Sequence, residues 1–218
     1  MVMLEKMSDF FENRLDSYDT HMMTEIEFAK EFYPFTARAL PRTEKCRILD
    51  LGCGTGLELS EYYPLCPTAT VTGIDLSAGM LDALKKKFSD KEITLICGSY
   101  FDVPLGELAF DAAVSVESLH HFTQNEKLSL YKRLHTALAD GGYFILTDYF
   151  AASNEEERMH QENFLALKKA EGITSGMLYH YDTPLTAAHE IEALMAAGFS
   201  NVQLLCRWGA TCTIKAIK

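Results

Sequence analysis

The sequence predicts an α/β fold of the doubly wound kind, a parallel sheet covered by helices on both faces. Three observations predict it. From Lys45 onward, short apolar runs alternate with stretches of helical periodicity. The first run, residues 46–51, ends in a glycine-rich turn, Gly52 to Gly56, that leads into a helix. The alternation then repeats as far as residue 149, and such repetition demands right-handed crossovers and a sheet buried on both sides.

Each element has its own local reason. Residues 46–51 carry Cys46, Ile48, Leu49 and Leu51 and read as a buried strand. A helix follows over 57–63 and stops at Pro64 and Pro67. Residues 69–74, with Val71 and Ile74, form the second strand. Ser77 caps a helix running through Phe88, in which Met80, Leu81, Leu84 and Phe88 recur at helical spacing. Strands three and four occupy 93–97 and 110–116. Residues 125–139 are helical, with Leu128, Tyr131, Leu134 and Leu138 on one face, until Asp140-Gly141-Gly142 breaks the pattern before a fifth strand at 143–147. The end of the chain reads as a helix over 187–197 stopped by Gly198, then strands at 202–206 and 211–217 around Trp208-Gly209.

Two regions fall outside this rhythm. Residues 1–44 read as two helical segments, one with Phe10, Phe11 and Leu15, the other with Ile26, Ala29, Phe32 and Tyr33 and kinked or divided by Pro34. Residues 150–185 form a polar insertion with a helix over 153–170, loosened afterwards by Gly172, Gly176 and Pro184. At 218 residues the chain fits one domain, since domains run to about 150 residues. Its parts are a helical cover (1–44), a core (45–149), an insertion (150–185) and a terminal helix with two strands (186–218).

Twenty Lys and Arg stand against 31 Asp and Glu, a net charge of −11. That excess disfavours nucleic acid and anionic membrane as partners. No apolar run is long enough to span a bilayer. Glu5, Lys6 and Asp9 stand where a signal peptide needs an apolar run, so a cytoplasmic location is expected. The six cysteines, with no Cys-x-x-Cys pair, are expected to be free thiols.

Ligands of open α/β sheets sit beyond the carboxyl ends of the strands, where Asp50-Leu51-Gly52-Cys53-Gly54-Thr55-Gly56 lies. A dinucleotide fingerprint needs glycine where Leu57 stands, so the spacing is Gly-x-Gly-x-Gly. This resembles motif I of the class I S-adenosylmethionine-dependent methyltransferases. Asp75 matches the acid that this family places on the ribose hydroxyls, and Asp75-Leu76-Ser77-Ala78-Gly79-Met80 looks like its D-x-S-x-x-M segment. Phe110 to Ser115 with Leu119-His120-His121-Phe122 resembles the fourth-strand motif, and Leu138 to Tyr143 resembles the L-x-x-G-G entry to strand five.

The resemblance implies a seven-stranded sheet of order 3-2-1-4-5-7-6 with the last strand antiparallel. It also implies S-adenosylmethionine as cofactor and S-adenosylhomocysteine as product. The cofactor residues it implies are Asp50, Gly52, Gly54, Gly56, Asp75, Leu76, Ser99, Tyr100, Ser115 and Val116. The family often has Gly-Asp-Ala where this chain has Gly98-Ser99-Tyr100. Ser99 therefore takes the place of the adenine-binding acid, and Tyr100 offers a ring.

A methyl sulfonium is already an activated electrophile, so the protein's task is to align a nucleophile opposite the sulfur, worth about 7–11 kcal/mol in favourable cases. A base is needed only where the acceptor must lose a proton. The candidates at the strand ends are Glu117, His120, His121, Asp148 and Tyr149, with His121 able to take an acceptor proton and Glu117 able to contact the acceptor or the methionine moiety. Packing around the next helix is the competing account of the histidines. Tyr18, followed by Asp19, resembles the family's amino-terminal Y-D segment that covers the cofactor. Tyr181, in His180-Tyr181-Asp182, is expected to line the acceptor pocket with Tyr179 and His180, on a segment hinged at residues 172–176. No His/Asp cluster at ligand spacing stands beside the site, and no metal is expected. The expected activity is methyl transfer to a small-molecule nucleophile. Its alternatives are a protein or nucleic-acid methyltransferase and a non-catalytic binder of S-adenosylmethionine.

Overall fold

The computed structural model describes residues 3–174 and 176–218, so Ser175 in the expected hinge lies outside the described residues. Three helices come first: α1 (Met7–Glu12), α2 (Leu15–Thr24) and α3 (Ala29–Ala39). The alternating core follows as β1 (Arg47–Leu51), α4 (Leu57–Tyr62), β2 (Thr70–Asp75), α5 (Ala78–Lys87), β3 (Ile93–Cys97) and β4 (Phe110–Val116). A 3₁₀ turn (Leu119–His121) leads to α6 (Gln124–Ala137) and β5 (Leu138–Tyr149). The chain closes with α7 (Asn154–Ala170), α8 (Ala187–Ala196), β6 (Asn201–Trp208) and β7 (Thr211–Ile217).

The seven strands lie in the order β3-β2-β1-β4-β5-β7-β6. β7 runs antiparallel to both neighbours, and the other pairings are parallel. Alternation along the strands divides the core in two. Leu49, Leu51, Phe144 and Leu146 face α6 and α8, whereas Ile48 and Ile145 face α3, α4 and α5. Side-chain caps start the helices: Ser77 accepts from Met80 N at 3.1 Å, and Thr123 with Glu126 forms a capping box at α6. All six cysteines are free thiols. No helix among the described residues is long and apolar enough to cross a membrane.

Two expectations are corrected. Pro34 does not divide its helix: α3 runs through it, and the region before it holds two further helices. Asp140-Gly141-Gly142 does not separate helix from strand, because β5 already begins at Leu138, which pairs with Phe110. The register shifts between Phe110 and Ala112, so the glycines form an irregularity inside the ladder.

The amino-terminal segment and the insertion are joined edge to edge. Met7 N donates to Leu178 O at 2.9 Å, and His180 N donates to Glu5 O at 3.0 Å. Deeper in the molecule, Lys127 of α6 and Glu190 of α8 form an ion pair at 2.6 Å, both side chains 1% exposed.

Candidate active site

Four strand ends build the site. β1 delivers the glycine loop, in which Gly52, Gly54 and Gly56 take φ values of +74°, +48° and +73°. A Cβ on Gly52 would lie 2.1 Å from Ser118 Oγ, whereas one on Gly54 would find nothing nearer than the Tyr18 ring at 3.8 Å. The first glycine is thus demanded by packing, and the second leaves backbone open to a cavity. Gly54 N donates to Asp75 Oδ2 and Ser77 N to Asp75 Oδ1, each at 2.9 Å, so β2's terminal acid holds the loop in shape. Burial raises the Asp75 carboxyl pKa, with the Ser77 and Gly54 amides pulling the other way.

A cavity of about 40 Å³ lies on this floor, bounded by Gly52, Gly54, Asp75, Leu76 and Tyr100 and roofed by Met7, Phe11 and Tyr18. Open glycine backbone beside a strand-end carboxylate suits the ribose and methionine parts of S-adenosylmethionine. The volume is that of a few water molecules, so seating the cofactor requires the α1–α2 roof to shift. Asp75→Ala is expected to weaken S-adenosylhomocysteine binding at least about tenfold, since a hydrogen bond to a charged group contributes roughly 1.5–3 kcal/mol. Unchanged affinity by calorimetry would reject that role.

A second cavity, of about 880 Å³, opens beyond the ends of β4 and β5. Phe10, His21 and Trp208 give it apolar and aromatic surface, and Glu117, His120, His121, His180 and Asp182 give it titratable groups. Glu117 sits at φ +48° and accepts from Thr211 Oγ1 at 3.1 Å. Burial and then the Asp148 carboxylate push its carboxyl up to about 8. His120 Nδ1 meets Asp148 Oδ1 at 2.6 Å. Burial opposes the His120 charge, but Asp148 prevails and the imidazole is pushed up to about 9. His121 is lowered by burial and by the neighbouring His120. Partial burial opposes the Asp182 charge, yet the adjoining imidazoles hold its carboxyl well below the ordinary range.

The structure gathers Gly52, Gly54, Asp75, Leu76, Tyr100, Glu117 and Tyr18 around the smaller cavity, and Tyr18, Glu117 and His121 around the larger. Other expected residues are placed elsewhere. Ser115 is fully buried and donates to Leu51 O at 2.8 Å, and Val116 packs in the core; the strand reaches the cavity only at Glu117 and Ser118. Ser99 accepts from Phe101 N at 3.2 Å, capping its own turn. Gly56 lies under Phe88 and Leu84 at the start of α4. Tyr181 turns away and stacks on Phe164 of α7, 5.2 Å between ring centroids, because alternation along an extended segment sends its neighbours His180 and Asp182 to the cavity. Tyr179 does not line that cavity either; its backbone pairs with Lys6. Phe11, Met7 and Ser118 are site residues that sequence reasoning missed; Phe11 read only as part of a helical apolar face.

Asp50 lies beneath the loop, buried, with neither carboxyl oxygen hydrogen-bonded. Burial raises it well above its ordinary value, and so does Glu58, an acid from the first turn of α4 that is buried and raised too. Unfolded carboxyls release their protons near pH 4. From there up to the folded values the native chain binds more protons, so the pair's contribution to stability falls as pH rises. Glu58→Gln is expected to flatten that decline above about pH 4.5, read from urea midpoints. Equal slopes in the two proteins would mean that the pair does not retain a proton.

Residues 48–142 match the family described as a methyltransferase domain. The chain is 27% identical over 139 residues to the malonyl-[acyl-carrier protein] O-methyltransferase of Priestia megaterium, covering 64% of this chain and 49% of that one. It is 24% identical over 234 residues to the carboxy-S-adenosyl-L-methionine synthase of Nautilia profundicola, covering 99% and 96%. Among solved structures, the S-adenosylmethionine-dependent methyltransferase from Mesorhizobium loti shares the fold at a TM-score of 0.62 and 22% identity, covering 85% of this chain and 96% of that one. The strand order, the glycine loop with its strand-end acid and the family match agree: residues 48–142 are a class I S-adenosylmethionine-dependent methyltransferase domain.

Proposed function

We propose that the protein transfers the methyl group of S-adenosylmethionine to a small molecule seated in the cavity of about 880 Å³. One observation carries this reading: the two cavities share Phe11, Tyr18 and Glu117, so a methyl group held over the glycine loop faces the larger space across that boundary. The volume falls within the roughly 300–1,000 Å³ of small-ligand pockets. In-line displacement then forms the bond from acceptor to methyl carbon as the carbon–sulfur bond breaks, the electron pair returning to sulfur. Tyr18 and Glu117 align the acceptor, and His121 faces it to receive a proton where one must leave. The amino-terminal helices and the insertion serve as the cover, a role supported by their shared backbone hydrogen bonds.

An acceptor screen that detects released S-adenosylhomocysteine, with mass identification of the product, tests the reading. Carboxylic acids and phenols are the first arm, since a relative methylates an oxygen. A product heavier than the acceptor by the mass of one CH₂ group is the expected result. Another relative is a carboxy-S-adenosyl-L-methionine synthase, so the same spectra are searched for a modified cofactor. A modified cofactor with no methylated acceptor would overturn the proposal.

A further inference from the structure

We propose that His120 Nε2, His121 Nδ1 and Asp182 Oδ1 bind one divalent first-row transition cation, of the zinc, cobalt or nickel kind, on the wall of the larger cavity. The three atoms lie within 4.8 Å of one another. Asp182 Oδ1 stands 3.1 Å from His121 Nδ1 and 3.5 Å from His120 Nε2. Ligands bonded to one such ion at about 2.0–2.2 Å stand roughly 3.0–3.5 Å from each other, so the two separations from Asp182 match edges of a coordination shell.

Hydrogen bonds behind the atoms also place them for coordination. Asp182 Oδ1 is shielded from solvent and makes no well-aligned hydrogen bond, and the groups facing it are the two imidazole nitrogens that would share a cation with it. His120 commits Nδ1 to Asp148, which in turn accepts from Leu119 N at 2.8 Å and Tyr149 N at 2.9 Å. A carboxylate behind an imidazole orients the ring and aims the far nitrogen, Nε2, at the site, the arrangement found behind most metal-bound histidines; the cation displaces the Nε2 proton on binding.

Preorganisation supports the same assignment. The two histidines sit on one 3₁₀ turn, and Thr183 N donates to His120 O at 2.8 Å, so the segment carrying Asp182 is tied to that turn before any ion arrives. Two imidazoles and one carboxylate suit zinc, cobalt, nickel or ferrous iron and not magnesium or calcium, which prefer all-oxygen shells. All three residues line the larger cavity, and with the ion bound His121 is a ligand rather than the proton acceptor of the proposed reaction. The competing account is a hydrogen-bonded cluster without an ion, in which His121 Nδ1 carries a proton toward Tyr181 O, 3.3 Å away.

The test titrates the chelator-treated full-length protein with Co²⁺, followed by visible absorption and calorimetry, with Zn²⁺ as competitor. One ion per chain and ligand-field bands are expected. Asp182→Ala and His121→Ala should each abolish the bands while retaining native circular dichroism. Asp148→Asn, which alters only the group behind His120, should weaken binding about 10–100-fold. X-ray absorption on cobalt-loaded wild-type protein needs no variant and should show two imidazoles. Absence of binding at saturating Co²⁺, undiminished binding in Asp182→Ala, or a near-ultraviolet thiolate band from the exposed Cys97 would each overturn the proposal.

Discussion

Gly54→Val is expected to fold and to lose measurable affinity for S-adenosylhomocysteine. The position has φ +48°, where an L-residue costs about 1–2 kcal/mol and a β-branched one more. The ligand-free protein can absorb that, because a Cβ there touches only the Tyr18 ring at 3.8 Å. The branch methyls would then project into the space between loop and roof that the cofactor must occupy. The expected loss exceeds about 100-fold, or roughly 2.7 kcal/mol, larger than for Asp75→Ala. Gly52→Ala should behave differently, because its Cβ would strike Ser118 Oγ and lower the melting temperature before any ligand is added. Calorimetry beside thermal melts separates the two cases. A Gly54→Val protein that binds normally would reduce the loop to a strand-to-helix turn.

The loop and its acid were legible in the sequence because everything that defines them is local. A buried strand, three glycines at alternate positions and an acid closing the next strand each leave a short-range mark. The depth of a strand end leaves none. Ser115 and Val116 differ from Glu117 and Ser118 only in how far β4 runs before it clears the sheet, which depends on pairing with β1 and β5. Parity separates Tyr181 from its neighbours: the extended chain turns His180 and Asp182 to the cavity and sends Tyr181 to α7, an alternation that the aromatic residue's identity does not encode. Glu58 was hidden differently, since an acid in the first turn of a helix reads as a solvated, dipole-favoured group and here packs against Asp50. The approach of His121 to Asp182 joins segments far apart in the chain, so spacing rules for metal ligands had nothing to detect.

Glu190→Ala is expected to lower stability by about 3–5 kcal/mol, because it leaves a buried lysine charge without its partner. Lys127 and Glu190 are both 1% exposed and 2.6 Å apart, and Tyr131 donates its hydroxyl to the other Glu190 oxygen. Removing the carboxylate strands an ammonium and a phenol in the apolar layer between α6 and α8. Urea unfolding should show a lower midpoint at an unchanged slope, the mark of a less stable fold of the same compactness. Replacing both partners, Lys127→Met with Glu190→Met, should recover much of the loss, since it removes the charge as well as its counterion. The effect should also reach the active site. α6 begins just after the turn carrying His120 and His121, and α8 begins just after the segment carrying Asp182, so this pair clamps the two chain segments whose meeting forms the cavity wall. Hydrogen exchange should therefore rise at residues 119–123 and 180–186 in Glu190→Ala under native conditions. A loss below about 1 kcal/mol would show the pair to be hydrated, and unchanged exchange in both segments would detach it from the site.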